Sequence, residues 1–249
     1  MKLNIEKYKG WNIYCKDSNK IKLGEMIVDA NFQIHTIIKD TKRNYVSIIE
    51  IDSQKYILKE IRSEVVIPQR KIQTIFKDGE ALTSLKNCLK AKEEGLETIA
   101  MPLLAIVKKG ILIKKSYLVL EYIDGCKISS VNDIDTIVEL AKKIHSLGRY
   151  HGDLNTSNFI KDKNGVVYIL DTQLKRDIFS NFKRSYDYLT LKEDLLVKEL
   201  SYDLEKKYKI NKFTIGYILA KVIKRVKQTK IIKKIRKIKK ELRRKGWRI

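Results

Sequence analysis

The 249-residue chain carries 53 Lys and Arg against 30 Asp and Glu, a formal net charge of +23, with 43% hydrophobic residues, eleven glycines and two prolines. That balance supports a packed core and excludes long disordered linkers, while the positive excess implies an anionic partner such as phospholipid, lipopolysaccharide or nucleic acid. No apolar run is long enough to cross a bilayer, no secretory signal pattern opens the chain, and Cys15, Cys88 and Cys126 lack the spacing of zinc or redox sites, so a reduced cytosolic compartment is expected.

Residues 1–31 read as an N-terminal extension expected to pack on the β-rich part, with no further role assigned. From Phe32 to Ile61 the alternation of apolar and polar residues predicts antiparallel strands at Ile34–Ile38, Val46–Ile51 and Lys55–Ile61, with a polar turn at 39–44. Lys59 ends the apolar run Tyr56-Ile57-Leu58 and would point from the sheet toward a cleft. Ile75, Phe76, Leu82, Leu85 and Leu89 recur at helical spacing, which predicts one helix from Gln73 to Glu94, stopped by Gly95 and carrying Glu80. Strands at Met101–Val107 and Tyr117–Tyr122 follow, and Ile123-Asp124-Gly125 reads as a hinge.

Beyond the hinge the pattern turns helical. Ile134, Ile137, Val138, Ala141 and Ile144 share one face of a helix at Asp133–Leu147, ended by Gly148. A short strand at Val166–Leu170 leads into Asp171, and helices are expected from Tyr186 onward. The fold class is therefore α+β, with a small antiparallel β-sheet and one helix in residues 1–123 and a mainly helical part in 124–249. Lys221 to Ile249 holds 15 Lys and Arg against Glu241 alone, with Ile231, Ile235, Ile238 and Leu242 at alternating four- and three-residue steps and Trp247 near the end. This predicts a basic amphipathic helix for an anionic membrane surface; the competing reading is a last helix packing its Ile stripe on the preceding ones.

The chemistry concentrates in His151-Gly152-Asp153-Leu154-Asn155-Thr156-Ser157-Asn158 and Asp171. Asp153 and Asn158 are spaced as the base and metal-binding amide of a phosphoryl-transfer loop, and Asp171 follows the next strand where a magnesium-binding carboxylate sits. A lone H-G-D is as often a surface turn; the three positions together favour the site. His145 and His151 read as structural residues that order this loop.

The ordered series Lys59, Glu80, Glu121-Tyr122, His151-Gly152-Asp153, Asn158 and Asp171 resembles the protein-kinase-like superfamily over roughly residues 30 to 200. Within it, the chain is most similar to the bacterial lipopolysaccharide core kinases, the heptose and Kdo kinases. The resemblance implies a bilobal kinase-like fold and an ATP- and Mg²⁺-dependent transfer to a sugar hydroxyl. Lys59, held by Glu80, would contact the α/β-phosphates, and the Glu121-Tyr122 backbone would bind adenine at the junction of the lobes. Asn158 and Asp171 would bind metal, and Asp153 would orient the acceptor hydroxyl and take its proton.

Two departures separate the chain from protein kinases. Gly152 stands where they have arginine, and Asp171-Thr172-Gln173 replaces Asp-Phe-Gly, so control by activation-loop phosphorylation is not expected. The turn from Ile38 to Val46 holds no glycine, leaving Lys42, Arg43 and Asn44 as candidates to meet phosphates. The implied partner is lipopolysaccharide or another anionic glycolipid, met peripherally at the inner face of the bacterial inner membrane. The alternatives are a small-molecule kinase of the aminoglycoside or choline type, and a pseudokinase that binds membrane or nucleic acid. No zinc finger, RNA-recognition or helix-turn-helix pattern supports nucleic acid as the partner.

Overall fold

The computed structural model describes residues 2–179, 181–229 and Ile238. The chain forms two compact units, 1–124 and 125–249, and both mix helices with antiparallel sheet.

In the first unit, β1 (Asn4–Tyr8) and β2 (Trp11–Cys15) are joined by Lys9-Gly10, both at positive φ, a turn whose twist matches that of its strands. Helix α1 (Ile21–Val28) precedes β3 (Gln33–Asp40), β4 (Asn44–Ile51) and β5 (Gln54–Ile61). Short helices α2 (Ser63–Val66) and α3 (Pro68–Gln73) lead to α4 (Gly79–Glu93), and β6 (Pro102–Lys109) and β7 (Ile113–Glu121) close the unit. The seven strands line up as β1-β2-β6-β7-β5-β4-β3, with every neighbouring pair antiparallel.

The N-terminal extension joins this unit through two strands, β1 and β2, and the helix α1, elements not read from the sequence. Ile13 and Cys15 are fully buried with Ile49, Leu104, Ile106 and Val119, and α1 adds Leu23 and Ile27 to the same cluster. A side chain at Gly24 would bring a Cβ to 2.6 Å from Ile13 Cγ2, so glycine there permits the close crossing of α1 over β2. The expected single helix is corrected to four.

The expected helix from Gln73 to Glu94 is also corrected, because it is broken at 74–78. Thr74 Oγ1 accepts a hydrogen bond from Ile113 N (3.1 Å), which draws this segment onto β7. Gly79 then starts α4 at φ +82°, and a Cβ there would lie 2.4 Å from Ile113 Cδ1. Helical periodicity carries through such a break because side-chain spacing does not register one backbone excursion.

The second unit opens with β8 (Gly125–Lys127) and α5 (Val131–Ser146), then a 3-10 turn at Thr156–Asn158, β9 (Phe159–Asp162) and β10 (Val167–Ile169). The three strands form a small antiparallel sheet in the order β10-β9-β8, two strands more than expected. Helices α6 (Phe182–Lys192), α7 (Leu195–Glu199), α8 (Leu204–Lys207) and α9 (Ile215–Gln228) follow. The basic amphipathic helix expected over 231–247 lies outside the described residues, Ile238 excepted.

Helix α5 carries its apolar stripe as expected, with Ile134, Ile137, Ala141 and Ile144 fully buried. It starts at a capping box in which Ser130 Oγ accepts from Asp133 N and the Asp133 carboxylate accepts from Ser130 N. Burial pushes the Asp133 carboxyl up, but the Lys161 ammonium at 2.8 Å and the Ser129 and Ser130 donors outweigh it and hold the pKa at about 2. A folded-state value below the ordinary 3.8 stabilises the fold above about pH 4, and that contribution fades as pH falls toward 2. Asp133→Asn, which retains the cap, is expected to lower stability at pH 7 by about 1–2 kcal/mol after solvent screening. Denaturant melts of the two proteins should converge as pH falls from 4 to 2.

Candidate active site

In the first unit, Lys59 lies in the middle of the sheet on β5, flanked by Val46 of β4 and Leu118 of β7. Its ammonium is 3.8 Å from Glu80 Oε1 in the first turn of α4, with both side chains mostly buried. Glu80 also receives Arg70 Nη1 at 3.4 Å, and the same nitrogen donates to Ser63 Oγ at 2.9 Å. The carboxylate is thereby held between two cations on separate elements, which restricts where Lys59 can point.

Glu64 is the residue here that sequence reasoning missed. It is buried on α2, and its Oε1 accepts the backbone N–H of Glu80 at 2.6 Å while Oε2 accepts from the Ser116 hydroxyl at 3.3 Å. A carboxylate at this position meets the orphan N–H groups and the positive end of α4. Burial pushes its carboxyl above the ordinary range, against the pull of those donors. The available signal was an acid followed directly by Val65-Val66-Ile67, where apolar neighbours suggest a buried side chain.

Glu121 ends β7, and its carboxylate accepts Met101 N at 2.7 Å while its own backbone N donates to Met101 O at 3.0 Å. Tyr122 lies beneath the Lys55 ammonium, 5.8 Å from ring centroid to Nζ. The glycine-free turn is closed by Thr41, whose Oγ1 accepts from Arg43 N and Asn44 N and donates to Asn44 O. A side-chain hydroxyl thus performs the closure that a glycine's conformational freedom would otherwise allow.

The second unit holds Asp153, Asn158 and Asp171. Asp153 is exposed on the loop after α5, while His151 and Leu154 beside it are buried. Gly152 adopts φ +98°, a conformation that turns the chain between them. Asn158 Nδ2 donates to Asp153 O at 2.7 Å, which directs the amide oxygen away from that carbonyl. Leu170 N donates to Asn158 O at 2.8 Å, bringing the start of the Asp171 turn onto the same loop. Asp171 is exposed at φ +44°, a left-handed conformation uncommon outside glycine. Thr172 Oγ1 donates to His151 O at 3.0 Å, and Tyr150 N to Lys175 O at 3.0 Å, so the segment from 171 runs back along 148–152.

What fixes this loop is Asp187 on α6, which is 1% exposed. Its two carboxylate oxygens accept the backbone N–H groups of His151 (2.5 Å) and Gly152 (2.9 Å), immediately before Asp153. His145 Nε2 approaches the same carboxylate at 3.4 Å, and Tyr208 meets His145 Nδ1 at 2.5 Å. A carboxylate only accepts, so Nε2 carries the hydrogen that faces Asp187, and Nδ1 is left to the hydroxyl of Tyr208, whose pKa burial pushes up to about 12. Burial pushes His151 below its ordinary value despite the Asp187, Asp171 and Asp153 charges, and its Nδ1 accepts from Asp153 N at 3.3 Å. Asp194 acts similarly one turn on, accepting from Thr156 N and Thr156 Oγ1 at 3.0 Å while capping α7.

Asp187→Ala is expected to leave the buried His151 N–H unsatisfied and the part-buried Gly152 N–H without its acceptor, and to cost about 1–3 kcal/mol. Amide exchange at His151 and Gly152 should accelerate. Asp153→Ala, an exposed truncation, should leave the melting temperature unchanged.

A loop of this form, an oxygen-bearing pair five residues apart followed by a third oxygen donor after the next strand, suits the handling of phosphates and a hard cation. Comparison with known proteins agrees in family. A family model described as lipopolysaccharide core biosynthesis protein (WaaY) matches residues 2–239. The chain is also 29% identical over 181 residues to a protein of Escherichia coli strain K12 named lipopolysaccharide core heptose(II) kinase WaaY, covering 68% of this chain and 76% of that one. With a match that takes in both units and every residue of the series from Lys59 to Asp171, the chain belongs to the WaaY family of lipopolysaccharide core biosynthesis proteins.

Proposed function

We propose that this protein is an ATP-dependent kinase that phosphorylates a heptose hydroxyl of the lipopolysaccharide inner core, and that its two units are the lobes of a kinase-like fold. The observation that carries this reading is the clamped loop, in which Asp187 fixes the backbone beneath an exposed Asp153 while Asn158 is tied to that same residue. A rigid backbone under an exposed carboxylate is what a positioned catalytic base requires. The heptose acceptor is taken from the name of the Escherichia coli relative.

The donor set fits magnesium. Among the described residues no cluster of three or more His, Cys, Asp or Glu forms a cage, and Asn158 and Asp171 offer two side-chain oxygens. Mg²⁺ is commonly held by one or two protein oxygens together with phosphates, and it would supply charge neutralisation on the transferring group. Lys59, aligned by Glu80, would meet the α/β-phosphates, and the Glu121-Tyr122 backbone would receive the adenine. Asp153 would orient the sugar hydroxyl and accept its proton. Most of the rate then comes from positioning and fixed charge.

The acidic residues downstream of the loop count against a cationic acceptor. Glu193 pairs with Lys224 (2.9 Å), Glu205 with Lys192 and Lys212, Asp194 caps α7 and Asp203 caps α8. Their charge is used inside the fold, and an aminoglycoside or choline-like substrate would find little to recognise there. Among the described residues no helix is long and apolar enough to cross a membrane. Contact with a lipid-anchored acceptor at the inner face of the inner membrane would therefore be peripheral.

The test is ATP consumption with Mg²⁺, with and without lipopolysaccharide whose inner core has been dephosphorylated. Acceptor-dependent turnover is expected, reduced by at least 10²-fold in Asp153→Ala and in Asp171→Ala. Near-normal turnover in Asp153→Ala would sink the mechanism, and ATP binding without acceptor-dependent turnover would remove the heptose assignment.

A further inference from the structure

We infer that the outward face of α9 is a docking surface for an anionic lipid bilayer. The helix has two apolar faces. Gly216, Tyr217 and Ala220 are buried on the side that packs on α6, where Lys224 also lies over the Tyr186 ring. On the opposite side Ile215, Ile218, Leu219, Val222 and Val226 follow at one-turn spacing and are 40–68% exposed, and Phe213, just before the helix, is 92% exposed. The stripe runs through three helical turns, about 16 Å. A soluble helix ordinarily presents a polar face to water, and a continuous apolar stripe marks a binding surface.

Charge selects the occupant. Between Lys206 and Lys240 the sequence holds 15 Lys and Arg and no acid, and Lys221 and Arg225 are exposed beside the stripe on α9 itself. Residues 230–249, with 11 Lys and Arg against Glu241, would bring like charge to this face, and so would a second copy of it. An anionic bilayer satisfies both features, since the apolar side chains enter the acyl boundary while Lys and Arg reach the headgroup phosphates. The aromatic ring of Phe213 at one end suits the interface as well. The inference deepens the kinase reading and rests on it for its purpose, because a core sugar linked to a lipid can be reached only at a bilayer. The exposure and charge stand without it.

The experiment is co-sedimentation of the full chain with phosphatidylglycerol/phosphatidylethanolamine vesicles and with phosphatidylcholine vesicles. It compares the wild type, Leu219→Ser/Val222→Ser and Lys221→Gln/Arg225→Gln. The wild type should partition onto the anionic vesicles only, and each double variant should bind roughly tenfold more weakly with an unchanged melting temperature. Turnover on a water-soluble, delipidated core oligosaccharide should be the same in all three. Vesicle binding by Leu219→Ser/Val222→Ser equal to that of the wild type would overturn the proposal. So would a lowered melting temperature or a lost dimer in that variant, because the face would then be covered by the chain's own 230–249 segment or by a second copy. Vesicle binding that behaves as expected, with no turnover on the soluble acceptor, would uphold the docking surface and reject the heptose kinase reading alone.

Discussion

The loop that carries Asp153 depends on a buried carboxylate beneath it. A segment that presents a reactive acid to solvent cannot also hide its backbone in regular sheet or helix, and its inner N–H groups need an acceptor. Asp187 supplies one oxygen to each of the two residues before Asp153. Burying that charge is costly, and the two N–H donors with His145 Nε2 offset it. Tyr208 holds the other ring nitrogen of His145 and so orients the one that faces Asp187.

The first unit uses the same device at another scale. Glu64 is a buried acid whose acceptor oxygen meets the backbone of Glu80, so the first turn of α4 is anchored where the Lys59 partner emerges. Gly79 serves the same turn, since it adopts φ +82° and a Cβ there would lie 2.4 Å from Ile113 Cδ1 as well as 3.2 Å from the oxygens of Glu64. In both units a carboxylate that touches none of the proposed reacting groups fixes backbone at or next to a residue that carries or pairs with one. Precision at exposed side chains is thus transferred from the interior, where solvent does not compete for the hydrogen bonds.

Charge is distributed by the same economy of acids. Asp133, Asp135, Asp187, Glu193, Asp194, Asp203 and Glu205 all cap helices, hold backbone or pair with lysines inside the second unit. The cations exceed them, and the surplus falls on α9 and the residues after it. Of the net charge of +23, +14 falls on residues 221–249, and the outward surface of α9 is left apolar and basic.

The sequence alone determined what is local. Asp153, Asn158 and Asp171 fall within nineteen positions of one another and the α5 stripe repeats within a single helix, so spacing alone was enough to nominate the loop and to place the helix, while Lys59 at the end of an apolar strand run became a candidate only through the rest of the series. Tertiary structure decided what depends on distant partners. The strands of residues 1–31 became visible through β6, ninety residues on, and the break at 74–78 through Ile113; β8 and β9 are too short to carry a period of their own. In the sequence Glu64 looks like an ordinary helix acid, and Asp187 and Asp194 read as readily as a solvated helix face as they do as the helix after the active site of the resembled kinases, because a carboxylate becomes a backbone clamp only when folding removes water and brings N–H groups from 16 to 38 residues away to its oxygens.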